Sequence, residues 1–357
     1  MICLSMIVRN EARCLARCLD SAAAHVDEIL VVDTGSTDDT VAIARRCGAR
    51  VVHFAWCDDF AAARNHALAQ TPAADWHLVL DADEWIARGG AGLRAALQAQ
   101  EAPFIGQIRL QEAPEAGQAT RPAVQWLSRL LPRGVAYRGR IHEQLVHQLP
   151  VRRLAIEVSH DGYHRDQLTR KADRNERLLR QALAATPEEP YLCFQLAREL
   201  ENRGDHAQAL PWYARAWELL PSAPAGSAAA LHLQQRLPWL HDMIVRNLFC
   251  LKRQKQFGAA LELADKQRAN WQHSADFHFA LGDVLLDIAV AQPQQAAQLL
   301  PLIEANWQRC LQIGETPQLE GAVAGRGSHL AAHNLAVLHE SLGNAAAAAH
   351  FRALARV

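Results

Sequence analysis

Four short apolar runs, separated by segments of helical composition, fill the first 85 residues of the chain, and two of them end in aspartate. Residues 2–8 read as a buried strand, 28–32 as a second strand ending at Asp33, 50–54 as a third and 77–80 as a fourth ending at Asp81. Between them, 11–24 is rich in Ala, Leu and Arg and reads as a helix. A second helix is expected after Ser36 or Thr37, either of which can cap it, and Gly48 fits its C-terminal end. A third helix is expected over 60–70. Repeated strand–helix–strand units predict a parallel sheet with right-handed crossovers, whose ligands bind beyond the carboxyl ends of the strands. Asp33 and Asp81 sit at two such ends. From 106 to 164 the pattern is less regular. Strand-like pieces at 106–110 and 154–158 are expected to complete the sheet and form the acceptor side of a site.

From Leu168 onward the sequence reads as helix almost throughout. Residues 188–221 fit one 34-residue tetratricopeptide repeat. Leu196-Ala197 fills its small-residue turn, Gly204-Asp205 the interhelical bend, Ala209, Tyr213 and Ala216 the second helix, and Pro221 the close. Weaker copies run through Leu248, Phe257 and Ala260, and through Leu335-Ala336, Leu342-Gly343-Asn344 and Ala348. Residues 222–230 read as a linker. Such hairpins stack because one alone cannot bury its apolar face; a plain helical bundle is the alternative. Two parts follow: an α/β domain over 1–166 and an all-α tetratricopeptide-like repeat domain over 167–357. Trp212, Trp217, Trp239 and Trp271 are expected in the helical core, with an acceptor groove along the repeats as the sharper alternative.

Composition removes several classes of function. Among 357 residues, 37 Lys and Arg balance 38 Asp and Glu, a formal net charge of −1, so no basic field attracts nucleic acid. No run of about 18 apolar residues is present, and the apolar start is too short for a signal core, so a cytoplasmic protein without a transmembrane segment is expected. The 8 cysteines form no CxxC pair and read as reduced, small buried residues.

Asp81-Ala82-Asp83 is the main chemical signal. In extended backbone, residues i and i+2 point the same way, so two carboxylates can share one Mn²⁺ or Mg²⁺ and hold it against a diphosphate. At the end of the second strand, Asp33 can accept the N3–H of a uracil ring or simply close an Asx-turn. Arg64, on a helix starting near the same edge, can clamp a phosphate or carboxylate.

Met6-Ile7-Val8-Arg9-Asn10-Glu11, Val32-Asp33-Thr34-Gly35-Ser36-Thr37-Asp38, Asp59-Phe60-Ala61-Ala62-Ala63-Arg64-Asn65 and Leu80-Asp81-Ala82-Asp83-Glu84 follow one another at close spacing. Together they resemble a family 2 glycosyltransferase of the GT-A fold. The nearest subgroup couples this domain to tetratricopeptide-like repeats and includes bacteriocin-type peptide S-glycosyltransferases. The resemblance implies inverting transfer from a nucleotide-diphospho-sugar, usually UDP-linked, to a peptide, protein or glycan. It makes Asn10, Asp33, Arg64 and Asp81 donor-binding residues. Thr34 replaces a second acid common in the family, which leaves the nucleobase role to Asp33 alone. His160, in His160-Asp161-Gly162-Tyr163-His164, is implied as a third metal ligand beside Asp81 and Asp83.

Arg138-Gly139-Arg140-Ile141-His142-Glu143 falls where the family places its acceptor side. Inverting transfer needs a base for the acceptor proton; Glu143 is the first candidate and His142 the second. A thiol acceptor, with a pKa of about 8.5, needs less help. Association of copies through the repeats is also expected. Two rivals remain. A nucleotidyltransferase would want a Gly-rich phosphate loop after the first strand, and residues 5–10 contain no glycine. A binding scaffold with an inactive front domain would be expected to lack the acids that Asp33, Asp81, Asp83 and Glu143 supply.

Overall fold

A computed structural model of the chain describes residues 1–99, 102–112, 124–160 and 165–356. It divides into two compact units, Met1–Ala185 and Thr186–Val357.

The first unit alternates β1 (Ile2–Val8), α1 (Leu15–Ala23), β2 (Glu28–Asp33), α2 (Thr40–Arg46), β3 (Arg50–His53), α3 (Phe60–Ala69) and β4 (Trp76–Val79). There follow β5 (Glu84–Arg88), α4 (Leu93–Gln98), β6 (Ile105–Glu112), β7 (Val124–Pro132), the hairpin β8 (Ala136–Arg138) and β9 (Gln144–Val146), β10 (Val151–His160) and α5 (Arg165–Ala185). Eight strands form one sheet in the order β3-β2-β1-β4-β7-β6-β10-β5, and β8 and β9 form a separate ladder. β1, β2, β3 and β4 run parallel, as does the β6–β10 pair; β7 and β5 run antiparallel to their neighbours.

β1 is apolar along its length because both of its faces are covered. Leu4, Met6 and Val8 join Leu15, Cys18 and Leu19 of α1 and Ile43 of α2 in one core, while Cys3 and Ile7 pack with Leu30, Val32 and Ala67 of α3 in another. The first four strands and α3 fall where the sequence places them. α1 begins later than expected, because residues from Glu11 to Cys14 make a turn, with the Cys14 and Leu15 N–H groups donating to the Glu11 carbonyl. α2 also starts later and is not capped by Ser36 or Thr37. Thr40 opens it, hydrogen-bonded to Asp38, and Ser36 and Thr37 are used elsewhere. Gly48 ends α2 in the left-handed region at φ +79°.

The second unit contains α6 (Pro190–Asn202), α7 (His206–Leu219), α8 (Ala228–Arg236), α9 (Leu240–Arg253), α10 (Phe257–Trp271), α11 (Ala275–Ala291), α12 (Ala296–Ile313), α13 (His329–Ser341) and α14 (Ala345–Leu354). α6 packs on α7, α9 on α10, α11 on α12 and α13 on α14, which is the stacked-hairpin architecture expected of repeats. The α11–α12 hairpin escaped the sequence reading. Its Gly282 lies against the Trp307 ring, where a Cβ would come within 2.5 Å of Nε1. α8 begins inside the stretch read as a linker, capped by the Ser227 hydroxyl, which accepts the Ala230 N–H. Trp239 and Trp271 are buried, as core residues should be, while Trp212 and Trp217 are half-buried.

Candidate active site

The Asp81-Ala82-Asp83 segment does not lie in extended backbone. β4 ends at Val79, and the Glu84 N–H donates to the Asp81 carbonyl at 3.0 Å, closing a turn before β5. The alternation that would aim both carboxylates alike therefore does not operate here. Asp81 faces two guanidiniums instead: Arg64 Nη2 donates to its Oδ1 at 2.9 Å and Arg129 Nη2 to its Oδ2 at 2.8 Å. The crowded surroundings would raise this carboxyl, but Arg129 and Arg64 hold it well below the usual carboxylate range. Its side chain keeps 41% of its surface accessible, so a ligand can still reach it.

The ion pairs continue on both sides. Arg129 Nη2 also binds the buried Glu84 carboxylate, whose other oxygen accepts the Asp81 N–H at 2.9 Å. Burial raises the Glu84 carboxyl, against the pull of Arg129. On the other flank Arg64 Nε donates to Glu143 Oε1 at 2.5 Å. Burial would lower the Arg64 guanidinium, but Asp81 and Glu143 raise it well above its ordinary value, so it stays charged. Glu84, Arg129, Asp81, Arg64 and Glu143 thus form one continuous chain of charge from β5 to the β8–β9 turn.

Local sequence explains how Arg64 gets there. Asp59 caps α3 by accepting the Ala62 N–H at 2.8 Å, and the Phe60 N–H donates to the Arg140 carbonyl, tying the helix start to the β8–β9 turn. One residue beyond Arg64, the Asn65 amide clasps Tyr137: its Nδ2 donates to the Tyr137 carbonyl at 2.9 Å and its Oδ1 accepts the Tyr137 N–H at 2.8 Å. Arg64 and Asn65 together fix the hairpin that carries His142 and Glu143. His142 is held at φ +50°, a left-handed conformation unusual for a non-glycine residue. The entry loop to α3 is latched from α5, where Arg177 grips Asp58 through both Nη atoms at 2.6 and 2.9 Å.

Asp33 sits at the end of β2, 3% exposed, and accepts the N–H groups of Gly35 and Ser36; His53 Nδ1 lies 3.2 Å away. Burial would raise its carboxyl, but these donors hold it below the ordinary value. Asn10, at φ +56°, joins the ends of β1 and β2: its N–H donates to Ser36 Oγ and its Oδ1 accepts the Thr37 N–H. His160 ends β10 directly opposite Glu84 of β5, which brings it beside the Asp83 turn. Residues 161–164 of its motif lie outside the described residues.

The structure therefore gathers Arg64, Asp81 and Glu143 into direct contact and places Asp83 and His160 at one sheet edge. Asp33 and Asn10 organise the neighbouring strand ends. Arg129 and Glu84 were missed from sequence; the available signal was a lone charged residue in the leucine-rich run Leu127-Ser128-Arg129-Leu130-Leu131.

A part-parallel sheet with acids at the carboxyl ends of β2 and β4, followed by stacked helical hairpins, defines a GT-A-type α/β domain joined to tetratricopeptide-like repeats. Residues 3–122 match the family model described as glycosyl transferase family 2. A TPR repeat-containing protein of Synechococcus elongatus is 40% identical over 225 residues, 59% of this chain and 55% of that protein. The SPbeta prophage-derived glycosyltransferase SunS of Bacillus subtilis is 28% identical over 222 residues, 59% of this chain and 52% of that one. The chain thus spans about half the length of these curated relatives. Among solved structures, glucosyl-3-phosphoglycerate synthase from Mycobacterium tuberculosis, in complex with Mn²⁺, uridine diphosphate and glucosyl-3-phosphoglycerate, is 26% identical. That match covers 31% of this chain and 44% of that one, with a TM-score of 0.28. No described helix is long and apolar enough to cross a membrane.

Proposed function

We propose that the chain transfers a sugar, with inversion, from a nucleotide-diphospho-sugar, UDP-linked in the first instance, to a peptide, protein or glycan acceptor, and that it does so in the cytoplasm. The observation that carries this reading is the unbroken charge chain from Glu84 to Glu143. It joins the acidic turn at the carboxyl end of β4 to the hairpin bearing the candidate base, so donor and acceptor sides form one rigid unit.

In this reading Asp33 accepts the N3–H of the nucleobase, and Asn10 keeps the β1 and β2 ends in register. Asp81, with both oxygens on guanidiniums, is a poor metal ligand but is still open to the donor. Asp83 and His160 fit a hard divalent ion better. Such ions are commonly held by one or two protein groups with substrate phosphates completing the shell, which agrees with the lack of any cluster of three potential ligands among the described residues. Mn²⁺ or Mg²⁺ held there would neutralise charge on the leaving diphosphate. Glu143 Oε1 is committed to Arg64, so Oε2 is the oxygen that takes the acceptor proton, with His142 beside it as second candidate. Arg64 and Arg129 position the carboxylates, and Arg64, on the donor side beside Asp81, also clamps the donor in this reading.

A panel of UDP-, GDP- and dTDP-sugars, scored for metal-dependent donor hydrolysis and for thermal shift, tests the reading. One nucleotide series should stabilise the protein and be hydrolysed. No response to any of the three would set the reading aside.

A further inference from the structure

In the repeat unit, Asp242 and Asp276 lie in the first turns of α9 and α11, 34 residues apart, so they hold equivalent places in successive hairpins. Each is almost fully buried, at 6% and 1% exposure. Buried carboxylates need partners: Asp242 has Arg246 of its own helix, whose Nε donates to its Oδ1 at 2.8 Å, while Asp276 takes its partners from the long connection between α12 and α13, which also covers Asp242. Residues 314–328 are irregular and exceed the roughly 2–8 residues usual between packed helices. The Val323 N–H donates to Asp276 Oδ1 at 3.0 Å, and Arg326 Nη1 donates to the same oxygen at 2.9 Å while lying 5.5 Å over the Phe279 ring. Gly321 lies against Asp242, where a Cβ would come within 2.4 Å of Oδ1.

His241 completes the set. Burial lowers its pKa, which favours the neutral ring. The Ser274 hydroxyl, which accepts the Phe277 N–H, can then donate to Nε2 at 2.7 Å, leaving Nδ1–H to donate to the Glu320 carbonyl at 2.7 Å. Two of these contacts reach main-chain atoms and a third requires the absence of a side chain, so most of the recognition is of a backbone shape. The segment closes on itself as well. Glu315 Oε1 accepts the Gly325 N–H at 3.0 Å and the Ser328 hydroxyl at 2.5 Å, and Gly327 packs directly on the Gly314 carbonyl.

We propose that the starts of α9 and α11 form a polypeptide-docking surface that the chain fills with its own residues 314–328. The partner that fits it is a glycine-containing turn of another polypeptide with an arginine placed as Arg326 is. Such a partner competes with the internal segment, which makes the segment an autoinhibitory plug of the repeat unit. The inference stands apart from sugar transfer and does not depend on it.

The test uses the full chain with residues 317–326 replaced by a short Gly-Ser bridge, which the close approach of Gly314 and Gly327 permits. Calorimetry is run with an acetylated, amidated peptide of residues 314–328. The bridged chain should bind it one to one, the intact chain at least about tenfold more weakly because its surface is occupied, and Asp276→Asn in the bridged chain should lose about tenfold or more. A bridged chain of native circular dichroism that ignores the peptide overturns the proposal. If the bridged chain does not fold, Arg326→Ala in the intact chain gives the same reading. Loosening the plug should make the peptide bind more tightly than it does to wild type, and equal or absent binding to both proteins overturns the proposal.

Discussion

At the sheet edge Asp81, Glu84 and Glu143 are neutralised side chain to side chain by Arg64 and Arg129; in the repeats Asp276 also meets a guanidinium, that of Arg326, but Asp276 and His241 hold the main chain of a loop as well. The difference is one of replaceability. A guanidinium between two carboxylates is specified by residue type, and nothing else in the chain can stand in for it. A carboxylate that captures a backbone N–H accepts any residue but proline there. The first arrangement suits a site whose geometry must not vary, the second a surface whose occupant can be exchanged.

The largest effect that sharpens this contrast is on rate. Glu143→Gln keeps the size of the side chain but removes the proposed base. kcat should fall by about 10²–10⁴-fold while UDP affinity, followed by calorimetry, stays within about twofold of wild type, since a base acting only on the acceptor proton contributes no ground-state donor binding. A collapse of UDP affinity would instead place Glu143 in the donor pocket. Next comes stability. Arg129→Met leaves Asp81 Oδ2 and the buried Glu84 without their shared partner, and urea melts should show a loss of about 3–5 kcal/mol. A loss under about 1 kcal/mol would mean the charge chain is ornamental.

Smaller effects test the repeats and the latch on α3. Gly282→Ala puts a methyl where Trp307 now lies, and overpacking of this kind should cost about 1–3 kcal/mol in the same melts. No cost would mean that the α11–α12 hairpin is loosely packed. Arg177→Ala breaks an exposed pair and should shift the melting temperature only slightly near neutral pH. Arg177 lowers the Asp58 carboxyl to about 2, below its ordinary 3.8. The pair's contribution is therefore complete above about pH 4 and is lost as pH falls through about 2. The gap between variant and wild type should close over that window, and a gap that widens on acidification would contradict the sign.

The parallel half of the sheet was legible because β1 and β2 are short apolar runs with both faces covered. The hairpin α6–α7 was legible for the same kind of reason, its small residues falling at fixed offsets. β7 was not, since its place between β4 and β6 is set by antiparallel pairing with strands distant in sequence. Arg129 was lost with it. The carboxylates of Asp81 and Asp83 were found, but their backbone was read as extended when Asp-Ala-Asp-Glu is a turn-forming string. In the repeats, the irregular connection over 314–328 went unread within a stretch taken as helix almost throughout, although Gly321 and Gly325, at φ +75° and +97°, are residues that suit turns. Nothing local revealed which helices it would cover.

Calorimetric titration of UDP into the intact protein, with Mn²⁺ and then with EDTA, and again into Asp83→Asn, tests the central claim most directly. The account predicts saturable one-to-one binding with Mn²⁺ that weakens at least about tenfold in EDTA. It predicts the same weakening in Asp83→Asn with Mn²⁺ present, the fold of that variant being intact by circular dichroism. UDP binding of equal strength in all three conditions would remove the metal from the account, and no UDP binding in any of them would contradict a UDP-sugar site at this sheet edge.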